Sequence, residues 1–363
     1  GNIAPRSPPE SSEGGLLPIR LTHANPPTDL RPASQVAQRE TQRSRRVTVR
    51  PRHSAIECPY NDTVLLVHLN IEWMRQTGRL YELLAIAERR SWRAIGLAET
   101  NAPGSTTFVI GDYLILQSGG DANSREPAGV ALILHSDLAR SLVQWLPLSS
   151  RVAAASLRVR GGMLTLIVCY LPYENFYDAD NEDKRLDAFQ ELEGVINERA
   201  RHGPVLVMGD QNTSVRYRME HEAGVVGPHL YTPPGPARGT AFSSTADIPA
   251  DLAPVGNQQC NRDLMVGLAM RQDLAIKNTF LDKPQAQKVT FVSRNLGEFA
   301  HLGPWTGDYA THRELDHTLV TRRDAGRVVD IQSLRDVQVG KTTHRVQKVT
   351  LRISRFMRVR RQG

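Results

Sequence analysis

The sequence Val205-Leu206-Val207-Met208-Gly209-Asp210-Gln211-Asn212 joins a continuous apolar run to polar side chains at its end. Four consecutive apolar residues predict a fully buried strand, and Gly209 would allow a sharp turn at the strand end. An acid and an amide then project side by side from a rigid strand tip. A lone Gly-Asp-X-Asn is most often an ordinary Asx turn, so its meaning depends on the other strand ends of the chain.

Several other predicted strands also end in polar side chains. Asn70 and Glu72 end a strand predicted over residues 64–72, and because they are two positions apart they share one face of it. Glu99 ends a short apolar run over residues 94–98. Together, the strand ends supply an acid-rich set of side chains: Asn70, Glu72, Glu99, Tyr170, Asp210, Asn212, Asp316 and His344. Taken singly, each is more often a charge facing water at a strand end.

The order of predicted elements indicates an α/β fold. Amphipathic helices are predicted over residues 78–90 and 183–201, where apolar residues recur at intervals of three and four. Strands are predicted over residues 108–118 and 129–135, and a hairpin joins strands over 152–160 and 163–170. A further helix is predicted over residues 263–272, followed by strands over 274–278, 289–292, 313–320 and 346–353. Strands and helices alternate twice, which favours two packed sheets with helices outside.

Composition limits the class of protein. The 363 residues are 40% hydrophobic, enough for a sizeable core, and large α/β folds of about 250 residues are often single domains. Cys58, Cys169 and Cys260 are odd in number and far apart, which argues against a disulfide framework or a zinc site and favours a reduced, intracellular protein. No apolar run approaches the roughly 18 residues of a membrane span. The composition is compatible with a nuclear or a mitochondrial location.

The charge is concentrated at the two ends of the chain. Net charge is +7, yet residues 61–340 carry 28 basic and 33 acidic residues, while residues 341–363 carry eight basic residues and no acid. We expect an Arg-, Pro- and Ser-rich extension over residues 1–60, disordered or bound to a partner, a domain over 61–354 and a basic tail over 355–363. Basic ends suit nucleic acid, DNA or RNA. Solvated tails that only aid solubility are an equal alternative.

The residue types at the strand ends match the chemistry of phosphodiester hydrolysis. Carboxylates are hard oxygen ligands suited to Mg²⁺, and the ion polarises a phosphoryl oxygen and supports the leaving group. An Asp can accept a proton from an attacking water, and a His held by an Asp can offer charge to the phosphate. Amides and a phenol can bind phosphate oxygens where negative charge accumulates.

Seven motifs in order resemble the endonuclease/exonuclease/phosphatase superfamily: L-N-I-E, G-L-A-E-T, C-Y-L-P, G-D-Q-N, the N-T-F and V-T-F pair, E-L-D-H-T-L-V and T-T-H. The resemblance covers residues 64–353 and is strongest to the apurinic-endonuclease-like domains of non-LTR retrotransposons and to craniofacial-development-protein-2-like proteins. It implies a four-layer α/β sandwich of two mixed β-sheets flanked by helices. The implied activity is that of a Mg²⁺- or Mn²⁺-dependent DNA endonuclease.

The resemblance also implies a role for each residue that matches a family motif. Glu99 would be the principal metal ligand, helped by Asn70 and Glu72. Asp210 would orient or deprotonate the attacking water, with Asn212 beside it. The remaining roles are phosphate contact by His344, orientation of His344 by Asp316, and a hydrogen bond from Tyr170 to the scissile phosphate.

Departures from the family pattern keep a second function open. The final signature reads Thr342-Thr343-His344 where the family has Ser-Asp-His, so one acid is absent and the grip on a cation is expected to be weaker. Tyr173 stands where abasic-site enzymes have Asn. A catalytically weak or inactive relative, acting as a structural subunit of a ribonucleoprotein such as a mitochondrial ribosome, is therefore the alternative to an active nuclease. A phosphatase of small phosphoesters shares the same metal chemistry.

Overall fold

The computed structural model describes residues 63–74, 78–121, 128–159, 162–175, 178–232, 241–250, 260–294 and 311–353. The extension expected over residues 1–60 and the basic tail expected over 355–363 lie outside the described residues. Among the helices described, none is both long and apolar enough to cross a membrane.

The described residues form strands and helices in a mixed order along the chain. In that order, the strands are β1 (Thr63–Asn70), β2 (Ala94–Ala98), β3 (Ser105–Ile110), β4 (Tyr113–Ser118), β5 (Val130–His135), β6 (Leu142–Pro147), β7 (Val152–Val159), β8 (Gly162–Tyr170), β9 (Val205–Asp210), β10 (Arg218–Met219), β11 (Ala241–Phe242), β12 (Leu274–Ile276), β13 (Phe291–Val292), β14 (His312–Arg313), β15 (Asp316–Thr321), β16 (Val328–Leu334) and β17 (Val346–Arg352). The helices are α1 (Arg79–Arg89), α2 (Ser136–Ala139), α3 (Ala179–Ala200) and α4 (Asn261–Arg271).

Two large mixed sheets contain most of these strands in the described part of the chain. The first sheet has the order β16-β17-β1-β2-β5-β4-β3, and the second has the order β12-β15-β9-β8-β7-β6. Neighbouring strands are antiparallel except for the pairs β1 with β2 and β8 with β9, which are parallel. Since parallel strands end at the same edge of a sheet, each sheet presents two adjacent strand ends there.

Alternation along the strands separates an inner core from two outer ones. In β9, Leu206 and Met208 face the inner core between the sheets, whereas Val205 and Val207 face the outer core of the second sheet. In β1, Leu66 faces inward and Val67 packs outward. Because side chains alternate with a period of two, the next inward positions carry the polar groups at the strand ends.

Helices cover both outer faces and complete four layers. Leu83 and Ala87 of α1 pack on the outer face of the first sheet. Leu192 of α3 and Leu268 of α4 pack on the outer face of the second. The structure therefore confirms the predicted α/β fold of two mixed sheets flanked by helices, with one apolar stripe of each helix buried.

Several local predictions need correction. The single strand predicted over residues 108–118 is a hairpin of β3 and β4, because Gly111 adopts a positive φ of 54° at the turn. Strands β6 and β16 were not predicted, since neither has a continuous apolar run. Helix α3 begins before residue 183, because the Asp178 side chain accepts a hydrogen bond from the Asp180 N–H at 3.1 Å and caps it. Gly209 does not turn the chain but lies within β9.

Candidate active site

The site lies where the inner faces of both sheets reach the ends of β1, β2, β8 and β9. Tyr170 pairs with Asp210 across β8 and β9, and Asp316, at the start of antiparallel β15, pairs with Asp210 on its other side. Asn70 ends β1 on the facing sheet. The strand register thus brings residues far apart in sequence to one edge of the sandwich.

Asn70 links the two sheets through its side-chain amide. Its Nδ2 donates to Glu99 Oε1 at 2.8 Å and to Asp210 Oδ2 at 2.9 Å. Glu99 belongs to the loop after β2 in the first sheet, and Asp210 belongs to the second. One amide therefore holds two carboxylates side by side at the edge, with their remaining lone pairs available to a cation or to water.

Asp316 and His344 form the second part of the site. His344 Nδ1 donates to Asp316 Oδ2 at 2.9 Å, and His344 Nε2 lies 3.6 Å from Asp210 Oδ2. The ring of Phe291 packs edge-on against His344, with centroids 5.2 Å apart. The imidazole of His344 thus lies between two acids and the ring of Phe291, and these contacts fix the direction of both ring nitrogens.

The two buried aspartates have opposite pKa shifts. Burial raises the pKa of Asp210, and the negative charge of Asp316 raises it further. Burial also opposes ionisation of Asp316, but His344 and His68 outweigh it and lower its pKa well below the usual range. Burial disfavours charge on His344, yet Asp316 and Asp210 raise its pKa to about 10. At neutral pH, Asp316 and His344 therefore form an ion pair, while Asp210 ionises less readily than an ordinary aspartate.

Tyr170 and Asn212 flank Asp210 on the second sheet. Burial raises the pKa of Tyr170, as do the charges of Glu99 and Asp210, and its phenol makes a hydrogen bond to Glu99. Tyr170 therefore remains a hydrogen-bond donor at neutral pH. The Asn212 N–H donates to Asp210 Oδ1 at 2.8 Å, and Asn212 Nδ2 donates to the Leu171 carbonyl at 2.8 Å. Asn212 thereby fixes the carboxylate of Asp210 from its own loop.

Glu72 lies beside this cluster with both carboxylate oxygens engaged. The Thr343 N–H donates to Glu72 Oε1 at 2.9 Å, and the Thr343 hydroxyl donates to the same oxygen. Arg294 donates to Oε2. Burial raises the pKa of Glu72, but the hydrogen bonds from Thr343 and the charges of His344 and Arg294 together outweigh it and lower the pKa. The threonine in the place of the family acid thus acts as a donor to Glu72.

Strained backbone is concentrated at this edge. Among the described residues, seven residues other than glycine have a positive φ, and five of them lie at or next to the site: Glu72, Trp73, Glu99, Asn101 and Asn212. Each such conformation costs on the order of 1–3 kcal/mol and persists only where its surroundings enforce it. The loops that carry the acids are therefore held in fixed, unfavourable conformations.

The donor set suits a hard divalent cation. In the described part of the chain, Asp210, Asp316 and His344 place ligand atoms within 4.8 Å of one another. This group differs from the expected ligands Glu99, Asn70 and Glu72, although Asn70 connects Glu99 to Asp210. Burial and the neighbouring Asp316 charge raise the pKa of Asp210, and a bound cation would oppose both effects.

Two residues of the site were not anticipated from the sequence. His68 Nε2 donates to Asp316 Oδ1 at 2.9 Å, and Arg294 contacts Glu72. His68 lies two positions before Asn70 on the same strand, so the period of two already placed it on the inner face. No comparable signal existed for Arg294, which is 222 positions from Glu72.

Comparison with known proteins identifies the fold. No protein-family model and no curated relative matches the sequence. The AP endonuclease LMAP from Leishmania major is 15% identical, with a TM-score of 0.56 over 89% of this chain and 99% of that one. The catalytic domain of Xenopus laevis APE2 is 14% identical, with a TM-score of 0.55 over 80% and 92%.

A third structure, the 3′ phosphatase NExo from Neisseria bound to a product DNA hairpin, is 15% identical, with a TM-score of 0.53 over 79% of this chain and 98% of that one. The described chain thus has the same α/β-sandwich fold as these three structures. This is the fold that the resemblance drawn from the seven sequence motifs implied.

Proposed function

We propose that this chain is a divalent-cation-dependent phosphodiester hydrolase that acts on nucleic acid, most simply a DNA endonuclease of retrotransposon origin. The observation that carries the proposal is the convergence of Glu99, Asn70 and Asp210 with the Asp316–His344 pair at one edge of the sandwich. This set contains a base, a cationic donor and hard oxygen ligands within one cluster.

Asp210 takes the role of base toward the attacking water. Asp210 is buried and accepts hydrogen bonds from the Asn70 side chain and the Asn212 N–H. Its raised pKa lies closer to neutral pH than that of an ordinary aspartate, which suits a general base. His344, kept protonated by Asp316, offers its Nε2–H and positive charge to a phosphate oxygen. Where a cation engages Glu99, the single phenol proton of Tyr170 would be available to donate to the same group.

Glu99 would hold Mg²⁺ or Mn²⁺ next to Asp210, with Glu72 alongside. Asn70, whose side-chain oxygen accepts from the Glu72 N–H, would orient both carboxylates through its Nδ2 rather than bind the ion. A bound cation supplies charge that polarises a phosphoryl oxygen and stabilises the leaving group. The carboxylate oxygens present are ligands that such ions prefer. Both carboxylate oxygens of Glu72 already accept hydrogen bonds, from Thr343 and from Arg294. This supports a cation site centred on Glu99 and Asp210.

Exposed aromatic side chains near the site support a nucleic-acid substrate. Trp73, one residue after Glu72, is 52% exposed and has a φ of 78°, and Tyr173, three residues after Tyr170, is 59% exposed. A large aromatic ring in a left-handed backbone conformation is unusual. Stacking on bases is a common use of such rings in proteins that bind single strands. Of the similar structures, one is an AP endonuclease and another is a 3′ phosphatase bound to a product DNA hairpin.

The test is nicking of supercoiled plasmid in the presence of Mg²⁺ or Mn²⁺. We expect the wild-type chain to nick the plasmid and Asp210→Asn to lower kcat roughly 10²–10⁴-fold, because it removes the base but keeps the shape. Asp247→Asn, at the end of an exposed 3-10 turn, is the control and should leave the rate unchanged. Cleavage of small phosphoesters without cleavage of DNA would favour a phosphatase. Absence of any hydrolysis would reject the proposal.

A further inference from the structure

His68 is a buried histidine that contacts the same carboxylate as His344. Its side chain is 0% exposed and lies on the inner face of β1. His68 Nε2 is 2.9 Å from Asp316 Oδ1, and His344 Nδ1 is 2.9 Å from Asp316 Oδ2. Each oxygen of Asp316 therefore receives one imidazole N–H.

Packing alone does not account for a histidine at this position. Val64 and Leu66 on the same face of β1 are apolar core residues. His68 Nδ1 is buried and has no hydrogen-bond partner among the described residues. An unpaired buried polar atom is unfavourable, and an aliphatic side chain would avoid it. The contact with Asp316 is therefore the feature that distinguishes histidine from leucine here.

The carboxylate of Asp316 depends on its two imidazoles for orientation. Its backbone is fixed, because the N–H donates to Thr290 Oγ1 at 3.1 Å and the carbonyl accepts from Gln347 Nε2 at 2.8 Å. The last torsion of an aspartate side chain is broad, however, so a fixed backbone does not fix the carboxylate plane. A donor on Oδ1 removes that freedom and directs Oδ2 toward His344.

We propose that His68 is a positioning residue: it holds the Asp316 carboxylate so that Oδ2 remains aligned with His344, and thereby sets the direction of the His344 Nε2–H. The inference deepens the proposed function and rests on it for the catalytic consequence. His68 itself contacts neither the phosphate nor the water, since Asp316 lies between it and His344.

The experiment compares His68→Leu with His68→Gln. Leucine fills a similar volume but has no donor, whereas glutamine restores an N–H close to the position of imidazole Nε2. We expect His68→Leu to lower kcat on the order of 10–100-fold, the usual effect of losing a partner behind a functional group, with KM unchanged. We expect His68→Gln to recover most of the rate. Leu66→Ala, on the same strand face, serves as the control and should lower stability without lowering kcat.

A second measurement does not depend on turnover. In a chain labelled with ¹⁵N-histidine, the His344 ring signals are identified by their loss in His344→Gln. We expect these signals to move in His68→Leu and to return toward wild-type positions in His68→Gln. Unmoved His344 signals, or equal kcat values for wild type and His68→Leu, would overturn the positioning role. If wild type hydrolyses no phosphodiester while the His344 signals respond as expected, the proposed function fails and the positioning role stands.

Discussion

Asp210 and Asp316 are neighbouring buried carboxylates that differ in their partners. Asp316 receives two imidazole N–H groups, from His68 and His344, and its pKa is lowered despite burial. Asp210 receives amide N–H groups, which do not offset burial and the nearby Asp316 charge, so its pKa is raised. Two acids whose environments separate their pKa values can serve different roles at one pH. The identity of the hydrogen-bond donors, more than burial, distinguishes the two.

The charge on His344 predicts a pH dependence of stability. Its folded pKa of about 10 exceeds the ordinary value near 6.5, so its contribution to stability is fully present below about pH 6.5 and is lost as the pH rises toward 10. We expect the unfolding free energy of wild type minus that of His344→Gln to fall by more than about 1.4 kcal/mol over this range, the equivalent of one pKa unit. Urea titrations in metal-free buffer measure it. A constant difference between the two chains would contradict this prediction.

At the scale of elements, the site depends on the close approach of β8 and β9. A Cβ at Gly209 would lie 2.0 Å from the Cys169 carbonyl oxygen and 2.8 Å from Cys169 Sγ. Gln211, just beyond the strand, is buried and accepts from the His317 N–H at 2.7 Å, which ties β9 to β15. Glycine is thus required at 209 by space, and the strand continues straight to Asp210.

This close approach predicts opposite effects for two glycine substitutions. Gly209→Ala forces β8 and β9 apart, and we expect a loss of about 1–3 kcal/mol or more in unfolding free energy. Gly194→Ala is the matched control, because Gly194 lies in α3 with open space around its Cβ position. Alanine there should stabilise by about 0.5–1 kcal/mol. Chemical denaturation distinguishes them, and a neutral Gly209→Ala would show that the strands separate freely.

The loops after β1 and β8 present Trp73 and Tyr173 beside the site. We expect Trp73→Ala and Tyr173→Ala each to weaken single-stranded DNA binding by about 1–3 kcal/mol, the usual contribution of a stacked base. Phe108→Ala, an exposed aromatic in edge strand β3, is the control and should bind as wild type does. Fluorescence anisotropy with a labelled oligonucleotide, using Asp210→Asn as the background, measures the affinities. Equal losses in all three variants would contradict a specific role for the site loops.

At the scale of the whole molecule, the site joins the two sheets. Glu99 follows β2 of the first sheet, Asp210 ends β9 of the second, and the Asn70 amide bonds to both. Both carboxylates accept a hydrogen bond from the same amide at this edge of the sandwich. A cation bound between them would therefore stabilise the packing of one sheet on the other.

This arrangement predicts that Mg²⁺ stabilises the folded chain. A ligand at 100 times its Kd adds about 2.7 kcal/mol to the unfolding free energy, so Tm should rise with Mg²⁺ concentration. Glu99→Gln keeps the hydrogen bond acceptor but removes the charge, and we expect it to abolish most of the rise. NaCl of equal ionic strength is the control for screening. An identical Mg²⁺ response in wild type and Glu99→Gln would contradict a cation site at this edge.

The sequence by itself determined the class of fold and the residue types at the strand ends. Continuous apolar runs such as 205–208 predict buried strands wherever they occur, and the polar residue after each run marks a strand tip. Patterns of this kind are local, and hence readable without the structure. Strands β6 and β16 lack such runs, which is why they were missed.

The tertiary structure alone decided which of these polar groups meet. His68 and Asp316 are 248 positions apart, and their contact follows from the register of β15 on β9 and from the packing of one sheet on the other. The engagement of Glu72 by Thr343 and Arg294 depends equally on loops brought together by that packing. Contacts between distant strands leave no local pattern in the sequence. The alternation of side chains along a strand shows which face is buried, but it does not show which strand or residue lies opposite.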